Sequence, residues 1–429
     1  MTERQHHRPR LLVVYEEGAA GAGELLRSLG ARYELCFLAA DTAHTARLSG
    51  IMRAAGTVRQ LSHWRRQLAE LRAWKPAGIT TFSELIPQTA AIAEALGLPY
   101  HSPTTAQLLT DKRAQRARLS EAGLDSTRSA PVLDPVELTD AVEQVGLPAV
   151  LKPVVGRGSM DTHLLTTPAD VDRCAAELSS GRAYVLEEYL RGEGRPGLGD
   201  YVSVETVLGP QGPRHLAVTG KFPQAAPFRE CGQFWPSGLT PDQNRRIVGL
   251  TSRILAALGV RHGITHTEFK LTADGPRLIE VNGRLGGWIA ELTQRATGAD
   301  LLSVAADLAC GGEGAEAVEY RDPRVCFQFW NQPPLNATEL RSVTGVREVR
   351  STPGVQRYLN LVPPGPLEPG VLTQRLDLTA GWVKSHHAMH QLLAAALEPL
   401  SYTFADADGC AMTLAASELP SSPRGSGES

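Results

Sequence analysis

The sequence lacks any apolar run long enough to span a membrane, and the run behind its charged start, Leu11 to Val14, is too short for a secretory signal. Cysteine is sparse. Cys36, Cys174, Cys231, Cys310, Cys326 and Cys410 are scattered without a CxxC pair, which argues against structural zinc and a disulfide framework. They read as small buried apolar residues. An excess of one charge is also missing: 43 Lys and Arg stand against 46 Asp and Glu, for a net charge of -3. That balance gives no general pull toward nucleic acid or an acidic membrane. No internal repeat is visible. What is present, 42% hydrophobic and 21% charged residues over 429 positions, suits a globular enzyme of roughly two to four domains. The expected setting is the cytoplasm, and the expected partners are small molecules, not nucleic acid or membrane.

The first hundred residues alternate as an open α/β sheet does. Leu11 to Tyr15, Leu35 to Ala40, Ile79 to Phe82 and Leu98 to His101 read as strands, with helices over Glu24 to Leu29 and Gln88 to Leu96. The turn Gly18-Ala-Ala-Gly21-Ala-Gly23 carries its glycines in the reverse of the dinucleotide-binding order, so it reads as a tight strand-to-helix turn even with Asp41 downstream. A helix is expected over Thr104 to Leu119, then strands at Ala149 to Lys152 and Tyr184 to Leu190. Tyr201 to Leu208 should pair with His215 to Lys221, and Pro241 to Leu258 should be helical. Beyond Gly311, Pro-rich joints separate scattered strands. Residues 416–429 read as a disordered tail.

Ile264 to Arg284 is the most informative segment. Ala273-Asp274-Gly275 suits a three-residue hairpin loop, which sets Glu268 opposite Glu280, His266 opposite Asn282 and Thr267 opposite Val281. Phe269 would then meet Ile279, and Leu271 would meet Arg277, on an apolar face. Two opposed carboxylates repel by roughly 3 kcal/mol at about 5 Å and an effective dielectric of about 20. A neighbouring lysine, protonation of one acid, or a divalent cation would each relieve this. The oxygen of Asn282 beside them suits a hard cation. A solvated polar face is the other reading.

Two further pieces are weak alone. Lys152 ends a strand and precedes Gly156-Arg157-Gly158-Ser159, a loop whose N–H groups could approach phosphate, although it is no Walker A motif. Glu187-Glu188-Tyr189-Leu190 closes an apolar strand with two acids; free backbone groups there could read an adenine edge, or the acids are simply solvated.

The order Asp111-Lys112, Leu151-Lys152-Pro153, Gly156 to Ser159, Glu187 to Leu190, His266-Thr-Glu268-Phe-Lys270, Glu280-Val-Asn282-Gly-Arg284 resembles the ATP-grasp superfamily over about Thr104 to Leu308. With Gly283-Arg284-Leu285-Gly286-Gly287-Trp288 it resembles the L-amino acid ligases of the bacilysin synthetase type. Those carry a small residue where this chain has Asn282. The resemblance implies an α/β and α+β chain with the ATP-grasp fold. A Rossmann-like unit would occupy 1–104, a small lid subdomain 105–190, a large subdomain with the metal hairpin 191–310, and a C-terminal α+β domain 311–415.

It also implies roles. Lys112 and Lys152 would contact ATP phosphates under a lid formed by Gly156, Arg157, Gly158 and Ser159. Glu187 would meet the adenine amino group, with the backbone of Glu188 and Leu190 completing the contact. Glu268, Glu280 and Asn282 would hold Mg2+ or Mn2+, Arg284 would grip the substrate carboxylate, and Trp288 would wall the pocket. Lys221 is either a phosphate contact or a surface lysine. Asp200, with Glu193 as rival, would meet ribose. His266, flanked by His262, is either a base toward the amine or a hydrogen-bonded structural residue. The implied activity is ADP-forming ligation of an amino acid or related carboxylate to an amine through an acyl phosphate. An ATP-grasp carboxylase or purine-pathway ligase and a non-catalytic nucleotide-binding module are the alternatives. The Pro-rich C-terminal part would serve as a substrate lid, as the surface of a homodimer, or as both.

Overall fold

In the computed structural model, which describes residues 8–156, 158–178, 181–314, 320, 323–369 and 371–422, the apolar run at Leu11 lies within the strand Arg10–Tyr15. This strand pairs in parallel with Glu34–Ala39 and Gly78–Thr81, and Gly56–Gln60 adds a parallel edge. Leu11, Val13 and Phe37 pack on one face, and Leu12, Val14 and Leu38 on the other. Burial on both faces is why the run is continuous instead of alternating. The edge strand escaped the sequence reading because Gly-Thr-Val-Arg-Gln is polar and partly exposed. Leu98 to His101 forms no strand: Pro99 cannot donate to a ladder, and the segment instead feeds Ser102, the N-cap of Pro103–Leu108. The helix expected over Thr104 to Leu119 is two helices. The second, Lys112–Glu121, begins where the Asp111 carboxylate accepts from the Ala114 N–H at 2.8 Å.

A four-stranded antiparallel sheet follows, in the order Ser129–Val132, Tyr184–Glu188, Ala149–Pro153, His163–Leu165. The helices Leu138–Val145 and Pro168–Glu177 cover one side of it through Leu138, Val145, Val171 and Cys174. An eight-stranded sheet carries the hairpin at one edge: Gly275–Asn282, Gly263–Thr272, Tyr201–Gly209, Gly212–Lys221, Gly232–Trp235, Val325–Phe329, Asp377–Val383, Val355–Asn360. The helix Pro241–Ala257 packs Ile247, Ile254 and Leu255 against Val202, Val204 and Phe269 of that sheet. Segment 311–415, expected as one C-terminal unit, divides its strands. Three extend the eight-stranded sheet, while Glu339–Thr344, Gly365–Pro366, Ser401–Ala405 and Ala411–Ala415 form another sheet.

The hairpin register differs from expectation near its turn. Gly275, at φ +111°, closes the turn directly against Thr272, so Leu271 faces Pro276 and Phe269 faces Leu278, not Arg277 and Ile279. A β-bulge at Ile279 then restores the expected pairs Glu268–Glu280, Thr267–Val281 and His266–Asn282. Ile279 leaves the apolar face and joins Glu280 on the wall of a cleft.

Part of the expected tail is ordered. Ala416–Glu418 forms a short 3-10 turn, and Leu419 and Ser421 are buried. The Ser421 hydroxyl donates to Asn331 and accepts from the Gln332 N–H. Leu419 packs with the apolar core beneath the helix His386–Leu397, which composition alone did not signal. Residues 423–429 lie outside the described residues. Among the described residues no helix is long and apolar enough to cross a membrane.

Candidate active site

The start of the helix Lys112–Glu121, the small antiparallel sheet and the bulged hairpin surround a cleft of about 950 Å³. At its floor lies an ion cluster. Arg116 donates through Nε and Nη2 to Glu187 at 3.0 and 2.9 Å, and Lys152 Nζ lies 2.9 Å from the same carboxylate. Arg116 also donates to the carbonyls of Leu278 and Ile279 at 2.8 and 2.6 Å, on the edge strand of the sheet. One residue earlier on that helix, Gln115 exchanges two hydrogen bonds with the Val281 backbone. Burial opposes ionisation of Glu187, but Arg116 and Lys152 outweigh it and hold the carboxyl down at about 2. Burial in turn lowers the Lys152 pKa, against the pull of Glu187. Glu187 is therefore a buried, paired acid and not a solvated strand end. Arg116 was missed because nothing local marks it.

Lys112, at the first position of its helix, donates to the Gly156 carbonyl at 2.9 Å and sits 3.3 Å from Glu280. It thereby ties the glycine loop to the hairpin. Ser159, at φ +55°, donates to the Phe228 carbonyl across the cleft mouth at 3.1 Å. Gly156, Gly158 and Ser159 line the cleft; Arg157 lies outside the described residues. Leu190 lines it too, while the Glu188 N–H is already donated to the Arg128 carbonyl and its carboxylate accepts from Arg128 and Arg277.

Glu268 and Glu280 also border a second, contiguous cleft of about 1380 Å³, which reaches the turn at Glu17, Gly18 and Ala19. The two acids coexist through their own partners. Burial would raise the Glu280 pKa, yet Lys112, Lys152 and the Asn282 amide, which donates to it at 2.9 Å, hold it at about 2. Glu268 is bonded to His266 Nε2 at 2.8 Å. Opposition of the acids therefore does not by itself require a metal ion; neighbouring lysines, one of the reliefs the sequence allowed, offset Glu280, and His266 pairs with Glu268. Among the described residues no three His, Cys, Asp or Glu side chains gather as a metal site. The donor chemistry still fits a hard cation: two carboxylates and an amide, all offering oxygen.

His266 is held on both sides. Its Nδ1 lies 2.7 Å from the fully buried Glu205, and its Nε2 faces Glu268. Burial disfavours its charge, but the two carboxylates prevail and push its pKa up to about 9. An imidazolium donating from both nitrogens has no free lone pair, so this geometry suits a strut and not a base. Arg284 lines the second cleft, anchored by Nε to Glu84 at 2.7 Å and by Nη1 to the Leu285 carbonyl at 3.0 Å. Glu84 was not foreseen; it lies 200 residues away in sequence. Lys221 is 2% exposed, which removes the surface-lysine alternative.

Two expected residues stand apart from both clefts. Asp200 pairs with Lys270 at 2.7 Å, and it is Lys270 that lines the first cleft. Trp288, at φ +63°, caps the helix Ile289–Thr297 and lies 6.3 Å from the Trp330 ring.

Residues 145–291 match the ATP-grasp domain family. The chain is 29% identical over 259 residues to alanine–anticapsin ligase of Bacillus subtilis, covering 56% of this chain and 55% of that protein. It is 31% identical over 281 residues to carnosine synthase 1 of Homo sapiens, covering 57% of this chain and 32% of that one. The chain thus spans about half of the first relative and about a third of the second. The crystal structure of an L-amino acid ligase from Bacillus licheniformis superposes with a TM-score of 0.74 at 19% identity, covering 92% of this chain and 98% of that one. The fold of that ligase is shared across nearly the whole chain.

Proposed function

We propose that this chain, which carries an ATP-grasp domain, is an ADP-forming carboxylate–amine ligase that joins an amino acid or related acid to an amine. Support comes from one observation above the rest: Glu268 and Glu280 border both clefts, with Lys112 and Lys152 lining the first and Arg284 and Lys221 the second. A nucleotide with its phosphates toward those lysines would have its terminal phosphate at the junction. A carboxylate held by Arg284 would approach it from the other side. The names of the two curated relatives, both amide-forming enzymes, point the same way.

In this reading Lys112 and Lys152 neutralise the polyphosphate, and the loop at Gly156 to Ser159 excludes water from it. Glu187 and the backbone beyond Glu188 face the adenine. Glu268, Glu280 and Asn282 would hold Mg2+ or Mn2+, which when bound supplies charge neutralisation between the phosphates. Arg284, fixed by Glu84, orients the acid so that its oxygen attacks the γ-phosphorus and ADP departs. The amine then attacks the acyl phosphate carbon, phosphate leaves, and the amine loses a proton. Arg284 also stabilises the oxyanion that develops. His266 keeps Glu268 in place. The boundaries 1–104, 105–190 and 191–310 are kept as the proposed division of labour, with 311–415 contributing strands both to the large sheet and to a sheet of its own. The cytoplasm, where ATP is held, is the compartment this chemistry requires.

The test is ADP and phosphate release over paired acids and amines, with the product identified by mass. One ADP per amide bond is expected. An AMP product, or ATP turnover with bicarbonate but no amine, would overturn the reading.

A further inference from the structure

Three polar side chains occupy directly opposed positions on adjacent strands of the eight-stranded sheet. Lys221 on Gly212–Lys221 faces Gln233 on Gly232–Trp235, which faces Gln328 on Val325–Phe329. All three are buried, as are Phe222, Phe234, Phe327 and Phe329 beside them along the chain. Polar groups withdrawn from water are costly unless each finds a partner. Here each does. Lys221 Nζ donates to Gln233 Oε1 at 3.1 Å. The Gln233 amide donates to Gln328 Oε1 at 2.8 Å and to the Gly287 carbonyl at 3.1 Å. The Gln328 amide donates to the Trp288 carbonyl at 3.2 Å and to the Glu291 carboxylate. Glu291, on the helix Ile289–Thr297, also accepts from Arg295 and, at 3.3 Å, from Arg357.

An ammonium can only donate and a carboxylate can only accept, so the two ends of this chain fix the direction of both amides between them. Either amide reversed would set N–H against N–H. Lys221 depends on that polarity, because its other contacts are looser: Glu230 Oε1 at 3.5 Å and the Tyr201 ring, 5.9 Å from its centre. Lys221 lines the second cleft, as does Gly287, whose carbonyl the same chain holds. Glu291 does not line it; with Arg295 and Arg357 it borders a separate surface groove. We propose that Glu291 is a positioning residue, acting through Gln328 and Gln233 to aim the Lys221 ammonium into the second cleft. The consequence for turnover rests on the ligase reading above, whereas the placement of Lys221 does not.

Two measurements on the full chain test this. The first is a cycle in kcat for ADP release at saturating ATP, acid and amine. Glu291→Gln lets the terminal group donate as well as accept, and should lower kcat by about 10-fold. In a Lys221→Met chain the same change should alter the residual kcat by no more than about 2-fold. Equal losses in the two backgrounds would mean that Glu291 acts on the fold at large, and would overturn the proposal. The second measurement needs no turnover. Brief acetylation of the native chain, read by mass spectrometry, should label Lys221 severalfold faster in Glu291→Gln and in Gln328→Met than in the wild type, with Lys112 and Lys152 unchanged. An unchanged Lys221 rate, or a rise shared by all three lysines, also overturns it. If the wild-type chain releases ADP with no acid and amine pair, the ligase reading falls and acetylation alone decides the role of Glu291.

Discussion

Glu280 lies directly after the bulge and Arg284 just beyond the strand's end, and each is held by residues from a distant part of the chain. Lys112 and Lys152 keep Glu280 ionised although it is largely enclosed. Glu280→Gln retains the shape, removes the charge and turns the Asn282 contact into a neutral one. Under the proposed function, ADP formation at fixed magnesium should fall by about 100-fold, the scale of one lost electrostatic group in an active site. Excess Mn2+ should recover part of the loss. Phosphate release across a metal titration measures this, and an unchanged rate would remove the hairpin from the chemistry. Glu84 is a positioning residue and calls for a different readout. Glu84→Gln frees Arg284 to swing, so kcat should drop by about 10-fold while KM for ATP stays near its normal value. An equal rise in both Michaelis constants would mean that Glu84 merely supports the fold.

At the scale of elements, the helix Lys112–Glu121 staples the bulged hairpin. Gln115 pairs with the Val281 backbone, and Arg116 takes the carbonyls of Leu278 and Ile279 while holding Glu187 and Asp125. Arg116→Met leaves Glu187 to Lys152 alone, Asp125 without its cation and two carbonyls without that donor, and should cost about 3–5 kcal/mol in denaturant unfolding. Adding Glu187→Leu should restore part of it, since an apolar pair of similar size is tolerated. A double variant no more stable than the single one would argue against the staple. The same helix shows what could be read beforehand. The opposed Glu268 and Glu280 were legible because strand pairing is a local rule and the pair lies near its turn. That prediction survived an error in loop length, because the bulge at Ile279 compensates for the shorter turn. Arg116 and Glu84 were not legible. Their partners come from other elements, and an arginine on a polar helix or loop carries no sign of what the fold will set beside it. The edge strand Gly56–Gln60 was hidden for a related reason, having little apolar surface to betray it.

Across the whole molecule, the buried charges set a stability profile with opposed limbs. His101 is buried, and desolvation lowers its pKa from 6.5 to about 4. As pH falls through that window the unfolded chain takes up the proton more readily, so stability is lost toward acid. Glu187, Glu230 and Glu280, each held at about 2 against an ordinary 4.5, contribute stability that is present above 4.5 and lost as pH falls further. His266 works in the other direction. Its folded pKa of about 9 lies above the ordinary 6.5, so its contribution is complete below 6.5 and disappears as pH rises toward 9. The melting temperature should therefore peak near pH 6.5 and decline on both sides. The two limbs are separable. His266→Gln lowers the whole curve, because it leaves Glu205 and Glu268 beside a neutral amide, yet it should also flatten the segment between pH 6.5 and 9. The slope identifies the group, whereas the height does not. Scanning calorimetry on both chains from pH 5 to 9 measures it, and an alkaline decline of equal steepness in the variant would place that proton elsewhere in the molecule.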